Sequence, residues 1–170
     1  MMLDDQTLAE AAALLEAMKA RNLTLATAES CTGGLIAAAL TAVAGSSAVV
    51  LAGFVTYSNA AKTAMVGVPA ELIHRVGAVS EEVARAMAEG ALARSGASIA
   101  LSCTGVAGPG GGSAEKPVGL VHLGAAMAGH GAFPARTLHA KRLFPGDRGA
   151  IRAATVREAF ALARSLLDAI

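Results

Sequence analysis

The sequence predicts an α/β protein on a mixed sheet, and three observations carry that reading. Up to residue 104, short apolar segments alternate with stretches of helical spacing, which is the pattern of βαβ units. The last two strand-like segments are joined by a glycine-bearing turn instead of a helix, which makes them an antiparallel hairpin. Hydrophobic residues make up 54% of the chain and aromatics only 3%, so Ala, Gly, Leu and Val build the interior and helices can lie close on a sheet. The length suits one layered domain with its own core.

Leu8, Leu15 and Met18, with Ala11 and Leu14 beside them, form one face at helical spacing and predict an amphipathic helix over residues 4–20. Residues 24–28 read as a strand. Leu35, Ile36, Ala39, Leu40 and Val43 return to helical spacing over 33–43, and residues 48–57 read as a second buried strand. A helix between two strands makes a crossover, which favours parallel pairing of the usual hand. Residues 59–66 look helical, and Pro69 opens another short helix. Ser80 reads as an N-cap, with Glu81 and Glu82 in the first turn of a helix that runs to Ser95. Residues 98–104 are a third strand, predicted parallel. A Gly-rich loop over 105–117 precedes strands at 118–127 and 132–142, and a last helix from Gly146 carries Val156, Phe160, Ala163 and Leu167 on one face.

Composition excludes several function classes. A net charge of +1 leaves no electrostatic footprint for a polyanion, and one Tyr, four Phe and no Trp make a poor stacking platform for bases, so no nucleic acid is expected as partner. Cys31 and Cys103 form no CxxC pair and suit a reducing compartment. His74, His122, His130 and His139 lack metal-ligand spacing, and neither a metal nor another cofactor is called for. The almost uncharged stretch 33–55 is long enough to span a bilayer, but it is Ala-rich and broken by Gly45-Ser46-Ser47, so no membrane partner is expected. Residues 1–6 carry Asp4 and Asp5 and no basic n-region, which points away from a signal peptide and toward the cytoplasm.

If the first three strands are parallel, their C-terminal ends share one rim, where open α/β sheets place their ligand crevices. The segments at those ends are Glu29-Ser30-Cys31-Thr32-Gly33-Gly34, Thr56-Tyr57-Ser58-Asn59, and Thr104-Gly105 running into the glycines 108, 110, 111 and 112. Ser30 precedes a helix N-terminus, where free amides and the positive helix end can hold an oxyanion or a phosphate, so it suits a nucleophile. On spacing alone, the commoner fate of Ser30 or Thr32 is an N-cap. Cys31 is a rival nucleophile, although a thiol beside an apolar strand end is as often buried and inert. The loop's glycines let backbone amides approach an anion, though its pattern matches neither a P-loop nor a dinucleotide fingerprint. Lys62 and Arg148 are the candidates for a charged role.

Taken together, these segments resemble the CinA C-terminal domain family of nicotinamide-nucleotide amidases. The match runs in order from TAESCTGG through AGSS, GFVTYSN, Lys62, VGVP, GAVSEEVA, TGVAGPGGG and EKPVG to GDR at residues 146–148. The resemblance implies a three-layer α/β/α sandwich on a mixed, mostly parallel sheet. It implies hydrolysis of the carboxamide of nicotinamide mononucleotide to nicotinate mononucleotide and ammonia. Carried onto this chain, Ser30 is the nucleophile, Lys62 its base and Tyr57 a helper. Thr32, Gly33, Gly34, Asn59, Thr104, Gly105, Gly108, Gly110, Gly111, Arg142 and Arg148 fall to substrate binding. A homodimer is implied as well. The alternative is a non-catalytic interaction domain, linked to competence or DNA damage, with a vestigial pocket. Two departures stand out: Val49, Val50, Leu51 and Ala52 replace an aromatic ring and a charged pair common in the family, and the larger N-terminal domain of many relatives, with its activity, is not expected here.

Overall fold

The computed structural model describes residues 3–170, so Met1 and Met2 of the N-terminal segment lie outside it. The first helix α1 (Asp5–Lys19) starts where Asp4 accepts the amide of Thr7, and it buries Ala11, Leu14, Leu15 and Met18. Strand β1 (Leu25–Glu29) is buried throughout and leads through a turn into α2 (Leu35–Thr41). Gly34 holds the N-cap of α2 at φ 100°, a left-handed conformation that a side chain rarely adopts. After a 3-10 turn come β2 (Val50–Val55), α3 (Asn59–Val66), α4 (Ala70–Val76) and α5 (Glu81–Ser95). The chain closes with β3 (Ile99–Gly105), β4 (Leu120–Met127), β5 (Arg136–Leu143) and α6 (Arg148–Leu167).

The five strands lie in the order β2-β1-β3-β4-β5. Strand β1 pairs in parallel with β2 and with β3, while β4 is antiparallel to both β3 and β5, so four strands point one way and β4 the other. The chain first steps sideways from β1 to β2, then back across β1 to β3. Right-handed connections in opposite directions put their helices on opposite faces. Helices α1, α2 and α6 accordingly pack on one face around Leu25, Leu101 and Leu123. On the other face, α3, α4 and α5 pack around Ala26, Ala28 and Ala100. The result is an α/β/α sandwich with no helix long and apolar enough to cross a membrane among the described residues.

Two strands differ from their sequence reading. Residues 48–57 were expected to form a buried strand, but β2 is a sheet edge on which every second residue is open, with Leu51 50% and Val55 46% exposed. An apolar run does not reveal how many neighbours a strand has. The hairpin after β4 is also looser than a tight turn, and regular pairing on β5 begins only at Arg136, after an isolated bridge between His130 and Phe133.

One close approach fixes the position of α3. A Cβ built on Gly90 in α5 would lie 1.8 Å from the carbonyl oxygen of Val66 at the end of α3, so a bare backbone is required there. Replacing Gly90 with Ala should drive the two helices apart. The helix propensity gained is less than about 1 kcal/mol, whereas overpacking of this kind costs about 1–3 kcal/mol. Gly90→Ala should therefore lower the melting temperature, by roughly 2–4 °C for each net kcal/mol in a chain of this size. An unchanged melting curve by circular dichroism would show that α3 is free to shift.

Candidate active site

The parallel strands β1, β2 and β3 end on one rim, and there Ser30, Cys31, Tyr57, Asn59, Lys62, Ala78, Val79, Thr104, Gly105, Ala107 and Arg148 line a crevice of about 230 Å³. Ser30 follows β1 directly, and its amide donates to the carbonyl of Cys103. Lys62 comes from the opposite side, on the inner face of α3, and is only 1% exposed. Its Nζ lies 3.0 Å from Ser30 Oγ, 2.9 Å from the carbonyl of Thr56 and 3.4 Å from that of Tyr57.

No carboxylate touches Nζ, and burial disfavours the ammonium, so the pKa of Lys62 is lowered from the ordinary 10.5, with nearby thiol charge opposing the shift. A neutral amine has two N–H groups and one lone pair. As the ammonium, Lys62 donates to Ser30 Oγ and to the carbonyls of Thr56 and Tyr57; once it is deprotonated, its two hydrogens suffice for the two carbonyls and its lone pair faces the hydroxyl of Ser30. A hydroxyl and a buried amine at hydrogen-bond distance are within reach of proton transfer.

Cys31, the rival nucleophile, is in a poor position. The neighbouring Cys103 side chain, burial and the repulsion of a second sulfur charge push its pKa well above the ordinary thiol value. Two adjacent buried thiols cannot both ionise, so Cys31 stays protonated.

The helix end beside Ser30 also differs from expectation. The amides of Ile36 and Ala37, in the first turn of α2, donate to the carboxylate of Glu29 at 2.7 and 3.0 Å. The amides of Gly33 and Leu35 are taken by the carbonyls of Ser30 and Thr32. A side chain of the protein itself thus occupies the positive end of α2, which leaves no room there for a phosphate or an oxyanion.

The remaining candidates divide. Asn59, Thr104, Gly105 and Arg148 line the crevice. The hydroxyl of Thr104 donates to the carbonyl of Ala78 and holds the segment before α5 in place. Arg148 donates to the carbonyl of Gly108 at 2.8 Å and to the hydroxyl of Tyr57 at 3.1 Å. Tyr57 therefore meets Lys62 through its backbone and Arg148 through its ring. Thr32 turns its hydroxyl inward to Glu29 and Cys103, and Gly33 and Gly34 shape the turn, so none of these three presents a side chain to the crevice. Gly110 and Gly111 lie exposed further along the loop. Arg142 is placed elsewhere: it projects from β5 and pairs with Glu158 at 2.6 Å, outside the crevice lining. A larger hollow of about 610 Å³ between α3 and α4 shares Asn59 with the crevice but contains neither Ser30 nor Lys62.

The sequence reading missed two residues. Glu29 had a signal, since it is the one charge at the end of an otherwise uncharged strand, just ahead of a helix. Arg152 stands one helical turn after Arg148 and donates to the carbonyl of Thr32 at 2.8 Å, behind the turn that carries Ser30.

The model of the CinA C-terminal domain family matches residues 6–167. The chain belongs to that family. It is 50% identical over 167 residues to a putative competence-damage inducible protein of Symbiobacterium thermophilum, covering 96% of this chain and 39% of that protein. It is 56% identical over 138 residues to a CinA-like protein of Citrifermentans bemidjiense, covering 81% of this chain and 32% of the relative. The CinA domain thus spans about two fifths or less of these curated relatives. Among solved structures, the competence/damage inducible protein CihA of Agrobacterium tumefaciens superposes with a TM-score of 0.92 at 47% identity, covering 98% of both chains.

The site geometry gives one expected outcome that needs no knowledge of substrate. Cys31→Ala should leave the reactivity of Ser30 toward a serine-directed sulfonyl fluoride within about threefold, because the thiol neither ionises nor touches the amine's lone pair. Loss of labelling in a folded Cys31→Ala protein, read by intact mass, would place the thiol in the reacting group.

Proposed function

We propose that this CinA domain is an amidohydrolase that converts nicotinamide mononucleotide and water to nicotinate mononucleotide and ammonia. The observation that carries the reading is the buried Lys62 amine 3.0 Å from Ser30 Oγ, with the backbone carbonyls of Thr56 and Tyr57 as its other partners. The family motifs around Ser30, Tyr57, Lys62 and Arg148 supply the substrate.

In the reaction, Ser30 Oγ attacks the carboxamide carbon while Lys62 Nζ takes its proton. The tetrahedral intermediate expels ammonia, which leaves with a proton returned by the Lys62 ammonium. Water, deprotonated by the same amine, then cleaves the acyl-serine ester. With the α2 amides occupied, the oxyanion falls to the turn at Cys31 and Thr32. Arg148, the crevice-lining guanidinium, takes the substrate phosphate with the amides of the Gly-rich loop. Arg142, already paired with Glu158, has no part in it.

A second reading, a non-catalytic module tied to competence or DNA damage, has the names of the relatives in its favour. An interaction surface has no use for a desolvated amine aimed at a serine. Ammonia release from nicotinamide mononucleotide separates the two in one assay.

Ser30→Ala and Lys62→Met should each lower turnover by about three orders of magnitude or more, and the double variant should be little worse than either, since a nucleophile and its base act as a unit. Additive losses would argue against the pair. The rate constant kcat/KM should rise with pH as Lys62 loses its proton, through an apparent pKa below 10.5. A limb that persists unchanged in Lys62→Met would assign the titration to another group.

A further inference from the structure

The mechanism above makes no use of the most fully engaged side chain next to it. Glu29 is 1% exposed and immediately precedes Ser30. One carboxylate oxygen accepts from Thr32 Oγ1 at 2.6 Å and from the amide of Ile36 at 2.7 Å. The other accepts from the amide of Ala37 at 3.0 Å and from Thr27 Oγ1 at 3.3 Å. Four donors from the strand, the turn and the helix meet on one charged group, and charge-assisted bonds of this kind are the strong ones.

The backbone of Glu29 reaches the other half of the pair. Its carbonyl accepts the amide of Thr56 at 2.8 Å and the hydroxyl of Thr56 at 3.3 Å. The carbonyl of Thr56 in turn accepts Lys62 Nζ. One residue therefore fixes the turn on which Ser30 sits and the acceptor that orients Lys62. From behind the same turn, Arg152 holds the carbonyl of Thr32.

We propose that Glu29 is the positioning residue of this site: its carboxylate locks the turn between β1 and α2, so that Ser30 Oγ is held on the lone pair of Lys62. This inference rests on the reading of Ser30 as nucleophile. The need for a carboxylate follows from its contacts. An ionised carboxylate only accepts, whereas a carboxamide brings an NH2 group that also donates. In Glu29→Gln, whichever way the amide is turned, that NH2 group faces the backbone amide of Ile36 or of Ala37, two donors in opposition. The threonine hydroxyls can rotate to accommodate it, but a helix amide cannot.

The test uses the full chain and two readouts at a temperature where both proteins are folded by circular dichroism. The first is labelling of Ser30 by phenylmethanesulfonyl fluoride, in which the serine oxygen bonds to sulfur, fluoride leaves and Lys62 takes the proton. The second is steady-state hydrolysis of nicotinamide mononucleotide. Small misplacements of reacting atoms cost up to about a hundredfold. Glu29→Gln should therefore slow labelling and lower kcat by about tenfold to a hundredfold, in parallel, with KM within about twofold. Thr32→Val, which removes one donor and keeps the shape, should show a smaller loss of the same pattern, and it serves alone if Glu29→Gln does not fold. Wild-type labelling and kcat in folded Glu29→Gln, or in Thr32→Val where it stands alone, would overturn the proposal, as would a rise in KM at unchanged kcat. Wild-type protein that hydrolyses the amide but is not labelled at Ser30 would overturn the serine reading itself, and with it this one. Wild-type protein that is labelled but releases no ammonia would reject the substrate and leave the labelling rates to decide the role of Glu29.

Discussion

Burying an amine is expensive unless its hydrogens find acceptors, and the architecture around the rim is arranged to supply them. Lys62 lies among the largest fully buried side chains of the protein. Its acceptors are the backbone carbonyls of Thr56 and Tyr57, just past the end of β2 at Val55. Its helix lies close against α5, which the bare backbone of Gly90 permits. The desolvation that threatens stability is also what lowers the pKa of the amine, so the structural cost and the chemical use of Lys62 have one origin.

The first helix after a parallel strand commonly receives an anion at its N-terminus. Here the anion is internal. Glu29 supplies the negative charge from the end of the same strand that delivers Ser30, and α2, with seven residues, is anchored by that contact instead of by a capping side chain. At the rim, the first residue of α6, Arg148, spans the crevice between Tyr57 and Gly108. The turn after β1 provides Ser30, α3 provides Lys62 and the final helix provides the guanidinium of Arg148, so distant parts of the chain meet at the crevice.

Much of this was legible in the sequence because periodicity reports burial. Residues 59–66 were read as helix and form α3 with those bounds, and Ser80 caps α5 as its position before two glutamates implied. The parallel ends of three strands placed Ser30, Tyr57 and Thr104 on one rim, where the structure has them. What was not legible depends on partners remote in the chain. The edge position of β2 follows from the order of strands, which no local pattern encodes. Arg142 was among the residues given to substrate binding, yet Glu158 reaches it from α6. Glu29 looked like part of a motif and not like a ligand for α2, because its two amide donors lie seven and eight residues further on.

The scarcity of aromatic rings has a practical side. The chain has no tryptophan and a single tyrosine, and that tyrosine stands at the mouth of the crevice, 60% exposed, with its hydroxyl accepting from Arg148. The ultraviolet emission of the folded protein therefore originates at one phenol beside the proposed reaction centre, with no indole to mask it. Any molecule that draws Arg148 away, or covers the ring, changes the lifetime and quenching of that one fluorophore. The protein is thus its own optical reporter, and occupancy of the crevice can be followed without a label.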